Sequence, residues 1–142
     1  IVRPAVRRYA GQFIRRKLKL TYDVPDCRVL TDEKWLRFVI EQVLSNALKY
    51  TRSGGVTITL EPERTLVIAD TGIGIAPEDL PRVFERGFTG ANGHADQRSS
   101  GIGLYLCRRI MTKLGHRITI ESTPGKGTQV CLDLKEAELE VE

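Results

Sequence analysis

The sequence predicts an α+β domain, and three observations carry that prediction. Apolar residues recur at helical spacing over residues 35–48, strand-like segments fall into hairpin pairs at 56–69 and 118–132, and glycines cluster between the two. A chain of 142 residues has room for one sizeable core.

The chain opens on a helix. Val6, Ala10, Phe13 and Ile14 keep a helical period after Pro4, whose fixed φ suits a first turn, and the period ends near Arg16. Leu18, Leu20 and Tyr22 alternate as a short strand does, and Val29-Leu30, beyond a Pro25-Asp26 turn, predicts a second one. Thr31 or Asp32 offers a capping oxygen for the long helix that follows. In it Trp35, Leu36, Val39, Ile40, Val43, Leu44, Ala47 and Leu48 line one face as far as Tyr50. Gly54-Gly55 closes this unit. Residues 56–60 and 66–69, turned at Glu61-Pro62-Glu63-Arg64, pair as a hairpin. Residues 71–100 keep no sustained period, with a short helix at about 78–84; so long a stretch inside a compact domain reads as functional. A helix at about 101–114, stopped by Gly115, leads into a last hairpin, 118–120 with 130–132, around Pro124-Gly125-Lys126-Gly127.

The net charge of +4 is unevenly spread. Residues 1–28 carry eight Lys and Arg against two Asp, whereas from Asp133 onward there are five acids and one Lys. The basic start lacks a run of aromatic stacking platforms, so it reads as a solvated helix face and no nucleic-acid partner is expected. The acidic stretch at about 135–142 reads as a frayed tail. Cys27, Cys107 and Cys131 are odd in number and widely spaced, which suits reduced core residues of a cytosolic domain rather than disulfides or a zinc site. No apolar run reaches membrane-spanning length and no signal peptide is patterned; a start at Ile1 predicts a piece of a longer protein.

Seven of the thirteen glycines lie between Gly72 and Gly103, four of them in the two clusters Asp70-Thr71-Gly72-Ile73-Gly74 and Ser99-Ser100-Gly101-Ile102-Gly103. Glycine lets backbone amides approach phosphate oxygens, and the second cluster runs into a helix whose free N–H groups favour an anion. Asp70 closes an apolar strand, where a carboxylate needs a polar partner; the exocyclic amino group of adenine is one, with Gly72 and Gly74 letting the base lie against the backbone. Asn46 is a poor helix former in mid-helix, and its carboxamide oxygen suits Mg²⁺, a hard cation that also binds phosphates. Lys49 and Tyr50 follow on nearly the same face, within reach of phosphate and ribose or base. An Asp that merely starts a turn, and a solvent-facing Asn beside a snorkelling Lys, are the alternatives for each residue taken alone. Gln42, four residues before Asn46, shares its face but takes no proton, while Glu41 is set off that face. That pattern favours a site holding ATP for another acceptor over a dedicated hydrolase.

These residues resemble the catalytic ATP-binding domain of bacterial sensor histidine kinases, within the gyrase, heat-shock-90, kinase and MutL superfamily. Residues 41–51, with Asn46, Lys49 and Tyr50, look like the N box; Asp70, Gly72, Gly74 and Ile75 like the first glycine box; Phe84, Glu85, Arg86, Gly87 and Phe88 like the F box; Gly101, Ile102, Gly103 and Leu104, after Ser100, like the second glycine box. Thr128 matches the threonine that supports the adenine pocket. The resemblance implies an α/β sandwich of the Bergerat type, a mixed sheet packed on helices, binding ATP-Mg²⁺ under a mobile lid at about 75–100. It implies Asn46 as metal ligand, and Asn46, Lys49, Gln42 and Arg86 as the catalytic set. The implied partners are a histidine-bearing dimerisation domain of the same parent and, downstream, a response regulator. The parent would be a membrane-anchored homodimer and this cytoplasmic domain, detached, a monomer. The segment 87–93 with 99–106 is similar to kinases that sense cell-envelope stress beside peptide-antibiotic transporters. Two departures stand out. Thr89 and Gly90 occupy the region of the usual lid arginine, leaving Arg86 or Arg98 to substitute, and neither His94 nor His116 sits in a phosphoacceptor setting. An anti-sigma-type serine kinase and a nucleotide-gated binding module without transfer activity are the competing readings.

Overall fold

The computed structural model describes residues 2–24, 31–85 and 103–135. In chain order they form α1 (Val2–Arg15), β1 (Lys19–Asp23), α2 (Glu33–Tyr50), β2 (Gly55–Glu61), β3 (Thr65–Asp70), α3 (Gly103–Lys113), β4 (Arg117–Thr123) and β5 (Gly127–Asp133), with 3-10 turns at Pro62–Arg64 and Leu80–Arg82. Asp32 caps α2, its side chain accepting from the Trp35 N–H at 3.1 Å. Helices α1 and α3 end in the same motif. Leu18 N–H donates to Phe13 O and Lys17 N–H to Ile14 O; His116 N–H donates to Met111 O and Gly115 N–H to Thr112 O. The left-handed position of that motif is Gly115 in α3 (φ 77°) but Lys17 in α1 (φ 57°), where a Cβ is unfavourable.

The strands form one sheet in the order β1-β2-β3-β5-β4. β1 runs parallel to β2, with α2 as the crossover between them, and the other neighbours are antiparallel. Both expected hairpins form, Ile58 facing Ile68 in one and Ile120 facing Val130 in the other. Leu36, Val39, Ile40, Val43, Leu44, Ala47 and Leu48 of α2 pack with Val56, Ile58, Leu66, Ile68, Val130 and Leu132 of the sheet, joined by Phe13 of α1 and by Cys107 and Met111 of α3. Burying these side chains contributes about 1.5–3 kcal/mol for each large one, and this places α2 over the middle of the sheet. A mixed sheet covered by helices is the α/β sandwich expected from the sequence.

Four expectations change. Trp35 is 48% exposed rather than part of the core face: it lies in the first turn of α2, at the edge of the apolar stripe, and meets Phe38 edge-on at 6.3 Å. The helix expected at 78–84 is a single 3-10 turn, because Pro81 removes a backbone donor where an α-helix would need one. α1 starts at Val2, ahead of Pro4, which sits in its first turn. Cys131 is only half-buried, whereas Cys107 is fully buried and its thiol is pushed up to about 12 by that burial; both are free. Cys27, the strand expected at 29–30, residues 86–100 of the lid, His94 and most of the acidic tail lie outside the described residues. No helix among the described residues is long and apolar enough to cross a membrane.

Candidate functional site

The site is built where three backbone segments converge on α2. β3 is the middle strand, so Asp70 at its end is flanked on both sides, by Val56 of β2 and Thr128 of β5. Its Oδ1 accepts from the Gly72 N–H at 2.8 Å and the Thr128 N–H at 3.2 Å, and Oδ2 accepts none among the described residues. Burial raises the Asp70 pKa above the ordinary carboxylate value, and the two backbone N–H groups pull it back. The carboxylate is therefore fixed by one oxygen and offers the other.

The loop after Asp70 lies against the end of α2. The Ile73 N–H donates to the Tyr50 carbonyl at 3.1 Å, and a Cβ on Gly72 would stand 2.5 Å from that carbonyl and 2.9 Å from Asp70 Oδ1. Only glycine fits at 72. On its other side the loop meets the β4–β5 hairpin, where Gly125 N–H donates to Ile73 O at 2.8 Å and Ile75 N–H to Ser122 Oγ at 2.7 Å. Ser122 donates to Gly127 O at 2.9 Å and lies 2.9 Å from Thr128 Oγ1. With one proton to give and two lone pairs, Ser122 uses all three bonds, taking the Thr128 hydroxyl proton and the Ile75 N–H. Gly127 (φ 134°) lies so close to the Asp70 carbonyl that a Cβ there would overlap it. Asp70, Gly72, Ile75 and Thr128 thus form one hydrogen-bonded unit.

The second glycine cluster meets α2 two turns earlier. α3 begins at Gly103, and a Cβ there would come 2.9 Å from Gln42 Oε1. The buried Cys107, a turn on, points its Sγ at Val39 O, 3.9 Å away, so α3 is seated on α2 at Gln42 and, a turn earlier in that helix, at Val39. Leu104 is half-buried behind Gly103. Gln42, Asn46, Lys49 and Tyr50 recur at i, i+4, i+7 and i+8 and are all half-buried, so Asn46 lies one turn from each glycine contact. The Lys49 ammonium stands 5.7 Å from the Tyr50 ring centroid. Glu41 faces the other way: it is 8% exposed and accepts from Arg8 at 3.1 Å and Arg37 at 3.0 Å. Phe84, half-buried beside the core, carries the Arg108 guanidinium over its ring at 5.3 Å. Arg86, Phe88, Arg98, Ser100, Gly101 and Ile102 lie outside the described residues.

Two residues, Arg16 and Ser122, and one backbone role, that of Tyr50, were absent from the sequence reading of the site. Tyr50 acts through its carbonyl, which no side-chain pattern reports. Arg16, donating to Leu48 O and Thr51 O, sat in a basic run read as solvated. Ser122 had a signal: it continues the inward positions Ile118 and Ile120, and a polar residue at an inward strand position needs partners. No group of three His, Cys, Asp or Glu among the described residues is placed to hold a metal.

Comparison with known proteins gives the same assignment. Residues 31–138 match the family described as histidine kinase-, DNA gyrase B- and HSP90-like ATPases. The chain is 46% identical over 110 residues to the sensor protein kinase GraS of Staphylococcus aureus (strain MRSA252), covering 75% of this chain and 32% of that protein. It is 38% identical over 136 residues to the sensor histidine kinase YxdK of Bacillus subtilis (strain 168), covering 92% and 42%. The chain thus spans less than half the length of these curated relatives. Among solved structures, the mycobacterial sensor histidine kinase MprB is 26% identical with a TM-score of 0.72, over 91% of this chain and 90% of that one. The catalytic domain of the histidine kinase ThkA shares the fold, with a TM-score of 0.80 at 20% identity over 96% of this chain and 92% of that one. The family match over most of the chain and the two glycine contacts on one helix lead to one assignment: the chain belongs to the histidine kinase-, DNA gyrase B- and HSP90-like ATPase family.

Proposed function

We propose that the chain binds ATP with Mg²⁺ and is the catalytic domain of a sensor histidine kinase, passing the γ-phosphoryl to a histidine on a separate dimerisation domain of its parent. The observation that carries this is the seating of both glycine clusters on one face of α2, Gly72 at Tyr50 and Gly103 at Gln42, with Asn46 between. Eight residues of helix separate Gln42 from Tyr50, about 12 Å of rise. In this reading the adenine lies at the Asp70 end and the phosphates at the start of α3, where free N–H groups and the helix dipole favour negative charge. Asp70 Oδ2 accepts the adenine amino group, and Thr128 supports Asp70 through its N–H. Lys49 serves the phosphates, and Tyr50 the ribose or base edge. Asn46 would contribute one neutral oxygen to Mg²⁺, with phosphate oxygens and water completing the shell, so the lack of a carboxylate cluster among the described residues is compatible with a metal carried in by the nucleotide. That ion supplies charge neutralisation on the phosphates.

The same geometry favours transfer over hydrolysis. α2 carries two acids; Glu33 opens the helix, far from Asn46, and Glu41 is held by Arg8 and Arg37 on another face. Gln42 stands beside the phosphate end and takes no proton, so positioning and electrostatics carry the chemistry. A response regulator would take the phosphoryl from the histidine, and the parent would be a membrane-anchored homodimer. The relatives named sensor kinases support these assignments.

Radiolabelled ATP tests the proposal. The domain alone is expected to remain unlabelled and monomeric, and adding the parent's dimerisation domain to place acid-labile phosphate on that partner. Acid-stable label on a protein serine would assign the chain to serine kinases, and no transfer at all to a nucleotide-gated module. In the same assay N46D is expected to stay folded and to transfer more slowly; transfer at the wild-type rate would remove Asn46 from the metal site.

A further inference from the structure

Helix α2 ends without the glycine that closes α3. Thr51, the next residue, is extended (φ −102°, ψ 114°), so the carbonyls of the last turn must find donors outside the helix. Two sources supply them. The Ile73 N–H takes the Tyr50 carbonyl, and the Arg16 guanidinium takes two more, Nη1 donating to Leu48 O and Nη2 to Thr51 O at 3.2 Å. Arg16 is delivered by the turn that ends α1: its own N–H donates to Gln12 O at 3.1 Å, and the left-handed Lys17 follows. A cation at the negative end of a helix, bonded to its orphan carbonyls, is a cap supplied by another helix.

We propose that Arg16 is a positioning residue for the nucleotide site. It holds the last turn of α2, which carries Lys49 and Tyr50, and through the Tyr50 carbonyl it holds the Asp70-to-Gly74 loop where a nucleotide meets it. The proposal rests on the ATP reading of the site, but the link from Arg16 to the loop is in the fold whatever binds there. Arg16 lies outside the residues 31–138 that match the family model, so the cap belongs to α1 of this chain. Arg8 provides the control. It ties the same two helices through Glu41, two turns earlier, and touches no carbonyl of the last turn.

The test compares R16A, R16K and R8A in the 142-residue chain, using a fluorescent ATP analogue, thermal melting and amide hydrogen exchange. R16A is expected to weaken the analogue on the order of fivefold, with R16K recovering part of the loss because an ammonium keeps the charge without the fork. R8A is expected to lower Tm while leaving the affinity within about twofold of wild type. Independently of nucleotide, the Ile73 amide exchanges faster in R16A than in R8A. Wild-type affinity and wild-type Ile73 exchange in R16A overturn the proposal. So does an R8A loss of affinity equal to that of R16A, since binding would then report helix packing in general. If the wild-type chain fails to bind the analogue, the ATP reading falls instead, and the exchange comparison alone decides the role of Arg16.

Discussion

Replacing Asp70 by Asn separates binding from folding. In the folded chain Oδ1 accepts two backbone N–H groups, at 2.8 and 3.2 Å, and an Asn oxygen can keep both. The amide nitrogen then occupies the Oδ2 position and presents N–H groups to a ligand atom that is itself a donor. A lost hydrogen bond plus an unpaired buried donor costs about 2–4 kcal/mol, so the affinity for ATP is expected to fall by about 30-fold to about 1000-fold. Stability follows other terms. Removing the charge weakens the two backbone bonds, but it also removes the cost of burying a charge, the cause that raises the Asp70 pKa. A carboxyl whose folded pKa is raised binds its proton more tightly in the native state. Its ionisation therefore costs stability as the pH rises from its ordinary value through the folded one, and the cost persists at neutral pH. Asn escapes that cost, and with the two effects opposed Tm is expected to move by less than about 4 °C. Titration with a fluorescent ATP analogue and a thermal melt of the same preparation read both quantities. Unchanged affinity would refute the adenine contact, and a collapse of Tm would refute the claim that Asp70 acts on the ligand rather than on the fold.

Other perturbations follow from the backbone. K17G relieves a left-handed Lys at the end of α1 and is expected to raise stability by about 1 kcal/mol; a lower Tm would mean that the Lys17 side chain contributes more than its backbone costs. G127A puts a Cβ onto the Asp70 carbonyl at φ 134° and is expected to cost about 2 kcal/mol or more and to weaken nucleotide binding, both read by denaturant melts with and without ATP. His116 is buried beside Thr31, 2.9 Å from its hydroxyl, and burial lowers its pKa against the opposing pull of the Lys135 backbone and Asp133. The unfolded chain then binds the proton first, so stability is expected to fall as the pH drops below about 6.5. H116Q should flatten that decline, and an unchanged pH profile would exclude His116 as its source.

Much of this architecture was legible because its signals are local. The Asp32 cap, the apolar stripe of α2 and the two hairpins each declare themselves within a few residues, and the registers follow from the turns. The pairing of β1 with β2 was not legible. A parallel partner thirty-odd residues away leaves no turn signature, and the strand is identified only once α2 is known to cross over between them. Trp35 misled because periodicity sees angle but not the height at which neighbouring elements stop covering a helix. At the site, type and spacing singled out Gln42, Tyr50, Asp70, Gly72 and Gly103, and the fold sets Gly72 beside Asp70 and Tyr50 and Gly103 beside Gln42. The Tyr50 carbonyl and the Arg16 cap were not legible, since each depends on which backbone groups the tertiary fold leaves unpaired.

The chain leaves the site at Gly74 and returns at Gly103, and both departures are anchored on α2, one by the Tyr50 carbonyl and one at Gln42. Because those anchors belong to a single rigid helix, the distance the intervening residues must bridge is set by α2 and not by their own conformation. Loop closure then depends only weakly on length, a doubling costing about 0.6 kcal/mol. A change in length between these points therefore alters the closure cost little, whereas Ile75, Val83 and Phe84, tied to the hairpin or packed in or against the core, and Gly72, wedged at the Tyr50 carbonyl, tolerate little change. Divergence in length among relatives is therefore expected to fall between these anchors and to leave the two contacts on α2 in place.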